Sequence, residues 1–166
     1  MTRIVIYGNS GSGKTTLAHS YAAKLKLKYL DLDTITWDAP GVRKKTSESI
    51  AALDSFIANH DHWVIEGCYG SIILEAAKSA QELIFLNPGI QTCLENCKAR
   101  PWEPHKYDSK ESQDKNLEML LNWVTQYETR EDEFSLKAHR AIFDSFTGKK
   151  VELKTRLEMQ NKAGSM

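Results

Sequence analysis

Cysteine is scarce in this chain of 166 residues, and the three that occur, Cys68, Cys93 and Cys97, are odd in number. That argues against a disulfide framework. Neither sign of charge is in excess, with 22 basic and 22 acidic residues. A protein that coats nucleic acid needs a basic surface, so direct nucleic-acid binding is not expected beyond a local patch. No apolar run approaches the ~20 residues that cross a bilayer, so no membrane partner is expected. The first residues enter an apolar segment directly, without the regions of a secretory leader, and the cytoplasm is the expected compartment. There is no internal repeat and no low-complexity linker. Residues 1–166 are expected to form one domain with a sizeable core. Proline occurs four times, and two of the four lie close together, at Pro101 and Pro104.

What is present is more specific. Residues 8–15 read Gly8-Asn9-Ser10-Gly11-Ser12-Gly13-Lys14-Thr15, the pattern G-x-x-x-x-G-K-[ST] of a phosphate-binding loop. Glycines let successive backbone N–H groups turn toward phosphate oxygens. Lys14 can reach the β- and γ-phosphates, and the Thr15 hydroxyl can ligate Mg²⁺. A helix after the loop would aim its N-terminal N–H groups at the same anion, which adds Thr16 to the expected contacts. The flanks agree. Arg3-Ile4-Val5-Ile6-Tyr7 reads as a buried strand, and Leu17, Ala18, Tyr21, Ala22 and Leu25 fall at helical spacing.

Strands are expected at 3–7, 28–33, 63–66, 83–86 and 151–154. Helices are expected near 14–25, 47–59, 71–79, 90–99, 112–128, 131–146 and 156–162. This alternation reads as α/β with a parallel sheet covered on both faces. Ligands of such sheets bind beyond the carboxyl ends of the strands. Two acids fall there. Asp33 stands where the second strand should end; it could take a proton from a hydroxyl, bind that hydroxyl, hold metal through water, or cap the following turn. Asp31, two residues earlier, is the better candidate for a cap. Glu66 closes Trp63-Val64-Ile65-Glu66-Gly67, a strand tip suited to touching Mg²⁺ or its waters. Its extra methylene relative to aspartate favours a water-mediated or base role. Gly67 and Gly70 flank Cys68 and Tyr69, and could bring backbone close to a ligand.

Residues 100–111, Arg100-Pro101-Trp102-Glu103-Pro104-His105-Lys106-Tyr107-Asp108-Ser109-Lys110-Glu111, are charged and aromatic, and two prolines bar regular structure. A loop of this length and make-up reads as a lid, with a lid region reaching to about residue 130. Arg100 and Arg130 bracket it and are the expected cations for a transferring phosphoryl group; Lys106 and Arg140 are weaker candidates. Cys93 and Cys97 share a helix face. They read as two small buried side chains, or less readily as half of a zinc site with His105.

With these motifs in view, the chain resembles the nucleoside/shikimate-kinase-like group of small P-loop proteins. Its pattern is similar to the bacterial adenylate-kinase-related, ATP-binding proteins of the topology-modulation type. The resemblance rests on residues 8–15, on Asp31-Leu32-Asp33 with Trp37 following, on Trp63 to Tyr69, and on Val151-Glu152-Leu153-Lys154-Thr155. Where those relatives carry an aspartate followed by Gly-Asn-Tyr, this chain has Glu66 and Cys68. The resemblance implies a three-layer α/β/α fold with a five-stranded parallel sheet in the order 2-3-1-4-5. It also implies ATP with Mg²⁺, an acceptor site over the tips of strands two and three, and an arginine-bearing helical lid. The leading expectation is an ATP-dependent small-molecule kinase acting on a hydroxyl or phosphate acceptor, with Lys14, Asp33, Glu66, Arg100 and Arg130 carrying the chemistry. The alternative is a nucleotide-dependent regulatory ATPase or switch linked to DNA topology. Asp38-Ala39-Pro40-Gly41 has the D-x-x-G spacing of a GTPase switch, but it follows the second strand and no Asn-Lys-x-Asp accompanies it.

Overall fold

Side-chain alternation along the first strand sets the layers. In the computed structural model, which describes residues 1–166, β1 (Thr2–Gly8) sends Ile4 and Ile6 to one face and Val5 and Tyr7 to the other, as a period of two requires. Ile4 and Ile6 pack with Leu17, Ala18 and Tyr21 of α1 (Lys14–Leu25). Val5 and Tyr7 pack with Leu53 of α3 (Thr46–Asn59), Ile72 and Ile73 of α4 (Gly70–Ala77), and Ile142 of α7 (Leu136–Ser145). Both sheet faces are therefore core, which explains why β5 (His62–Gly67) and β6 (Glu82–Leu86) read as continuous apolar runs. Truncating a side chain such as Ile65 to alanine would cost about 2–5 kcal/mol.

The sheet is completed by β2 (Lys28–Asp31) and β7 (Lys149–Leu153), and its order is β2-β5-β1-β6-β7, all neighbours parallel. Counted among these five strands, that is the expected order 2-3-1-4-5. Register brings the functional ends level: Glu66 lies opposite Ile6 on one side and Asp31 on the other. Between β6 and β7 run α5 (Ile90–Ala99), α6 (Lys110–Thr125) and α7; α8 (Arg156–Gly164) follows β7. No helix is long and apolar enough to cross a membrane.

Three features differ from expectation. Strand β2 stops at Asp31, because the Asp31 carboxylate accepts the Asp33 N–H at 2.8 Å and turns the chain into a single-turn helix, α2 (Asp33–Thr36). A small antiparallel hairpin follows, β3 (Trp37–Ala39) and β4 (Val42–Arg43). Its turn is the Pro40-Gly41 pair, so the D-x-x-G spacing is hairpin chemistry. Finally, the helix expected from 131 begins only at Leu136, where Ser135 accepts the Ala138 N–H at 2.9 Å as N-cap. Arg130 therefore lies in the connection between α6 and α7.

Candidate functional site

Residues 8–15 form a tight loop from β1 into α1, seated on α5. Gly11 has φ +77°, and a Cβ there would stand 2.4 Å from the Cys93 carbonyl and 2.7 Å from Cys97 Sγ. Asn96 fixes the same glycine by donating to its carbonyl at 2.7 Å. Cys93 and Cys97 are thus the buried floor of the loop, packed with Val124. Lys14 Nζ arches back to the Asn9 carbonyl at 2.8 Å. Ser12 is fully buried and its hydroxyl has no partner. A cradle closed to any side chain, a lysine folded over it and an orphaned hydroxyl fit a polyphosphate chain.

Beside the loop, Thr15 donates to Glu66 Oε1 at 2.8 Å, and Tyr29 donates to the same oxygen at 2.9 Å. The pair expected to serve Mg²⁺ is therefore in contact. A hydroxyl and a buried carboxylate are the oxygen donors that this hard cation takes. Tyr29 has no motif to mark it; only the register, which sets β2 against β5, brings it to Glu66.

Asp33 lies at the mouth of β2. One of its oxygens accepts the Tyr69 hydroxyl, and the Trp37 indole donates to that hydroxyl at 2.8 Å. The other faces Lys106 Nζ at 2.8 Å. Lys106 is also 3.9 Å from Asp31 and 3.8 Å from Glu103, and Glu103 lies 3.5 Å from Arg100. Arg100, Glu103, Lys106 and Asp33 thus alternate in charge from the end of α5 to the sheet. Burial raises a carboxyl, yet the Lys106 charge and the hydrogen bonds from Lys106 and Tyr69 hold Asp33 below the ordinary carboxylate range. Asp31 shows the reverse. Burial, then the charges of Glu66 and Asp33, push it up to about 7.

Arg130 stacks on Trp123, 3.3 Å from the ring centroid, and pairs with Asp132 at 2.8 Å. Arg43 of the hairpin lies over Tyr69 and Phe134, 5.3 Å from each centroid. Arg140 makes two 2.7 Å bonds to Glu152, tying α7 to β7. His105 is exposed.

Behind the turn that carries Cys68 and Tyr69, His139 is fully buried. It bonds the Tyr127 hydroxyl at Nδ1 and the Cys68 carbonyl at Nε2, both at 2.8 Å. The second bond makes Nε2 the protonated nitrogen, so Nδ1 accepts from Tyr127. Burial drives its pKa down to about 4, so the imidazole is neutral. The same burial pushes the Cys68 thiol up to about 12.

The family model of the ATPase family associated with various cellular activities (AAA) matches residues 4–87, half of the chain, from β1 to the end of β6. No curated protein matches the sequence. Solved structures do match the fold. A shikimate kinase from Acinetobacter baumannii in complex with shikimate superposes with a TM-score of 0.58 at 16% identity, over 99% of this chain and 90% of the other. A gluconokinase from Sinorhizobium meliloti 1021 gives 0.57 at 17% identity, over 99% and 94%. A shikimate kinase from Bacteroides thetaiotaomicron gives 0.57 at 15%, over 99% and 95%. With its phosphate loop, parallel sheet and strand order, the chain belongs to the P-loop NTPases of the AAA-associated ATPase family and has a P-loop kinase-like fold.

Proposed function

We propose that the chain is an ATP-dependent kinase that phosphorylates a hydroxyl or phosphate group of a small molecule. The observation that carries this reading is the alignment of two different acid sites at neighbouring strand ends. Glu66 is committed to Thr15 beside the phosphate loop, and Asp33 faces away to Tyr69 and Lys106. A regulatory nucleotide site needs only the first.

Residues 8–16 would hold the phosphates, with Thr15 and Glu66 holding Mg²⁺ directly or through its waters. When bound, ATP would supply the γ-phosphoryl group and leave as ADP, with Mg²⁺ offsetting charge on the phosphate oxygens. Lys14 balances charge on the phosphate chain. Asp33 meets the acceptor already ionised, held so by Lys106 and Tyr69, and can accept a hydrogen bond from the acceptor hydroxyl and take its proton as transfer proceeds. Tyr69, anchored by Trp37, fixes the direction of the Asp33 carboxylate. Arg100 and Arg130 are the cations we assign to the transferring group; without ligand they are held by Glu103 and by Trp123 and Asp132. Arg43, over the Tyr69 ring, is paired with Glu133 at 3.5 Å and braces this wall of the site.

ADP release measured against a panel of nucleosides, nucleotides, sugars and hydroxylated acids tests the reading. At least one compound should raise turnover well above the water background, and Lys14→Ala should abolish it. A flat response across the panel, with ATP binding intact, would leave a nucleotide-binding protein without an acceptor.

A further inference from the structure

The segment between α5 and α6, residues 100–109, is bonded almost wholly to itself and to α6. Trp102 donates to the Tyr107 carbonyl at 3.1 Å, and the Glu103 N–H donates to Gln113 Oε1 at 2.8 Å. Gln113 returns a bond to the Pro101 carbonyl at 3.0 Å, and Asn116 donates to the Tyr107 hydroxyl at 2.8 Å. Polar contact with the sheet end comes from one side chain, Lys106, through Asp33 and Asp31.

Both oxygens of Asp33 are taken by protein, yet the two partners differ in kind. Tyr69 is only 4% exposed and is pinned by Trp37. Lys106 sits on a loop without regular structure, at the end of a flexible four-carbon stem. An acceptor hydroxyl that needs an Asp33 oxygen can displace the lysine far more readily than the tyrosine.

We propose that Lys106 is a latch: its ammonium docks on Asp33 and holds residues 100–109 shut over the acceptor end of the sheet until an acceptor hydroxyl takes its place. The latch deepens the kinase reading, because it makes Asp33 the shared seat of lid and acceptor. Lid opening and acceptor entry are then one exchange of hydrogen bonds at a single carboxylate. With side chains 22% and 31% exposed, the pair is still partly open to screening, so added salt loosens the lid in part.

Hydrogen exchange of the lid peptide, in the absence of nucleotide and acceptor, tests the latch. Lys106→Ala and Asp33→Asn should each speed exchange of the Lys106 and Tyr107 amides by roughly five- to tenfold. The double variant should be no faster than either single one. Lys106→Arg, which keeps the cation, should restore slow exchange, and the amides of β1 and β5 should not change in any variant. Raising salt on the unsubstituted chain should reproduce the loosening without any mutation. Unchanged lid exchange in Lys106→Ala overturns the latch, as does strict additivity of the two substitutions or a lid indifferent to salt. A latch seen in a chain that phosphorylates nothing would sink the kinase reading alone; phosphorylation by a chain without the latch would sink this proposal alone.

Discussion

Acid should remove the stability that His139 contributes. In the native state its imidazole is neutral, with a pKa near 4 against an ordinary 6.5, so the unfolded chain binds the proton more tightly. Stability from this residue is complete above pH 6.5 and is lost as the pH falls toward 4. At 1.36 kcal/mol per pKa unit, the loss reaches about 3 kcal/mol. Asp31 pulls the other way. Its native pKa of about 7 lies above the ordinary 3.8, so the folded chain holds the extra proton and gains stability as the pH falls from 7 to 4. A plain pH profile would blend the two effects. Urea unfolding should therefore be run at several pH values between 7.5 and 4.5 on the parent and on His139→Gln, whose amide can still donate to the Cys68 carbonyl. The stability difference between them should be largest near neutrality and shrink by up to about 3 kcal/mol on acidification. A difference constant with pH would refute the buried neutral histidine. A difference that grows in acid would reverse its sign.

Three further outcomes are expected. Asp31→Asn should remove the opposing trend, so that its unfolding free energy falls relative to the parent's between pH 7 and 4; a parallel profile would show that Asp31 titrates normally. Gly11→Ala forces a side chain into the left-handed region and against α5, and should destabilise by about 2–4 kcal/mol in a thermal or urea melt. A melt within experimental error of the parent would mean that the loop does not rest on Cys93 and Cys97. Glu66→Gln keeps an acceptor for Thr15 and Tyr29 but loses the charge. Titration calorimetry should show Mg²⁺-dependent nucleotide binding weakened by about 10–100-fold with metal-free binding preserved; equal loss of both would remove Glu66 from any metal role.

The core of the fold was readable because its signals are local. Ile4 to Tyr7 alternate in a period of two, and the loop from Gly8 to Thr15 states its own geometry, so strand, loop and helix fall within a residue or two of their places. Two of the differences share one cause, a short-range hydrogen bond overriding periodicity. Asp31 bends the chain before Asp33, and Ser135 starts a helix five residues later than expected. The hairpin was written in Pro40-Gly41, but flanking strands of two or three residues give no pattern to read. At the site, the nearness of Thr15 to Glu66 follows from a phosphate-loop pattern and a strand end, both local signals. Lys106 was visible only as one cation among several in a charged loop, since its ranking depends on Asp33 across a gap of seventy-odd residues. Tyr29 and His139 carry no motif. Their roles arise from strand register and from packing of α7, which are properties of the assembled sheet.

One arrangement bears on synthesis. The wall behind the phosphate loop is supplied by the last helix: Met159 of α8 lies 3.5 Å from where a Gly13 side chain would begin, and Arg156 bonds Glu95 and Asn96, the latter holding Gly11. Lys24 of α1 in turn grips the Ala163 carbonyl. The contacts that back the loop between β1 and α1 thus form only after α8 has been made and has docked on α1 and α5.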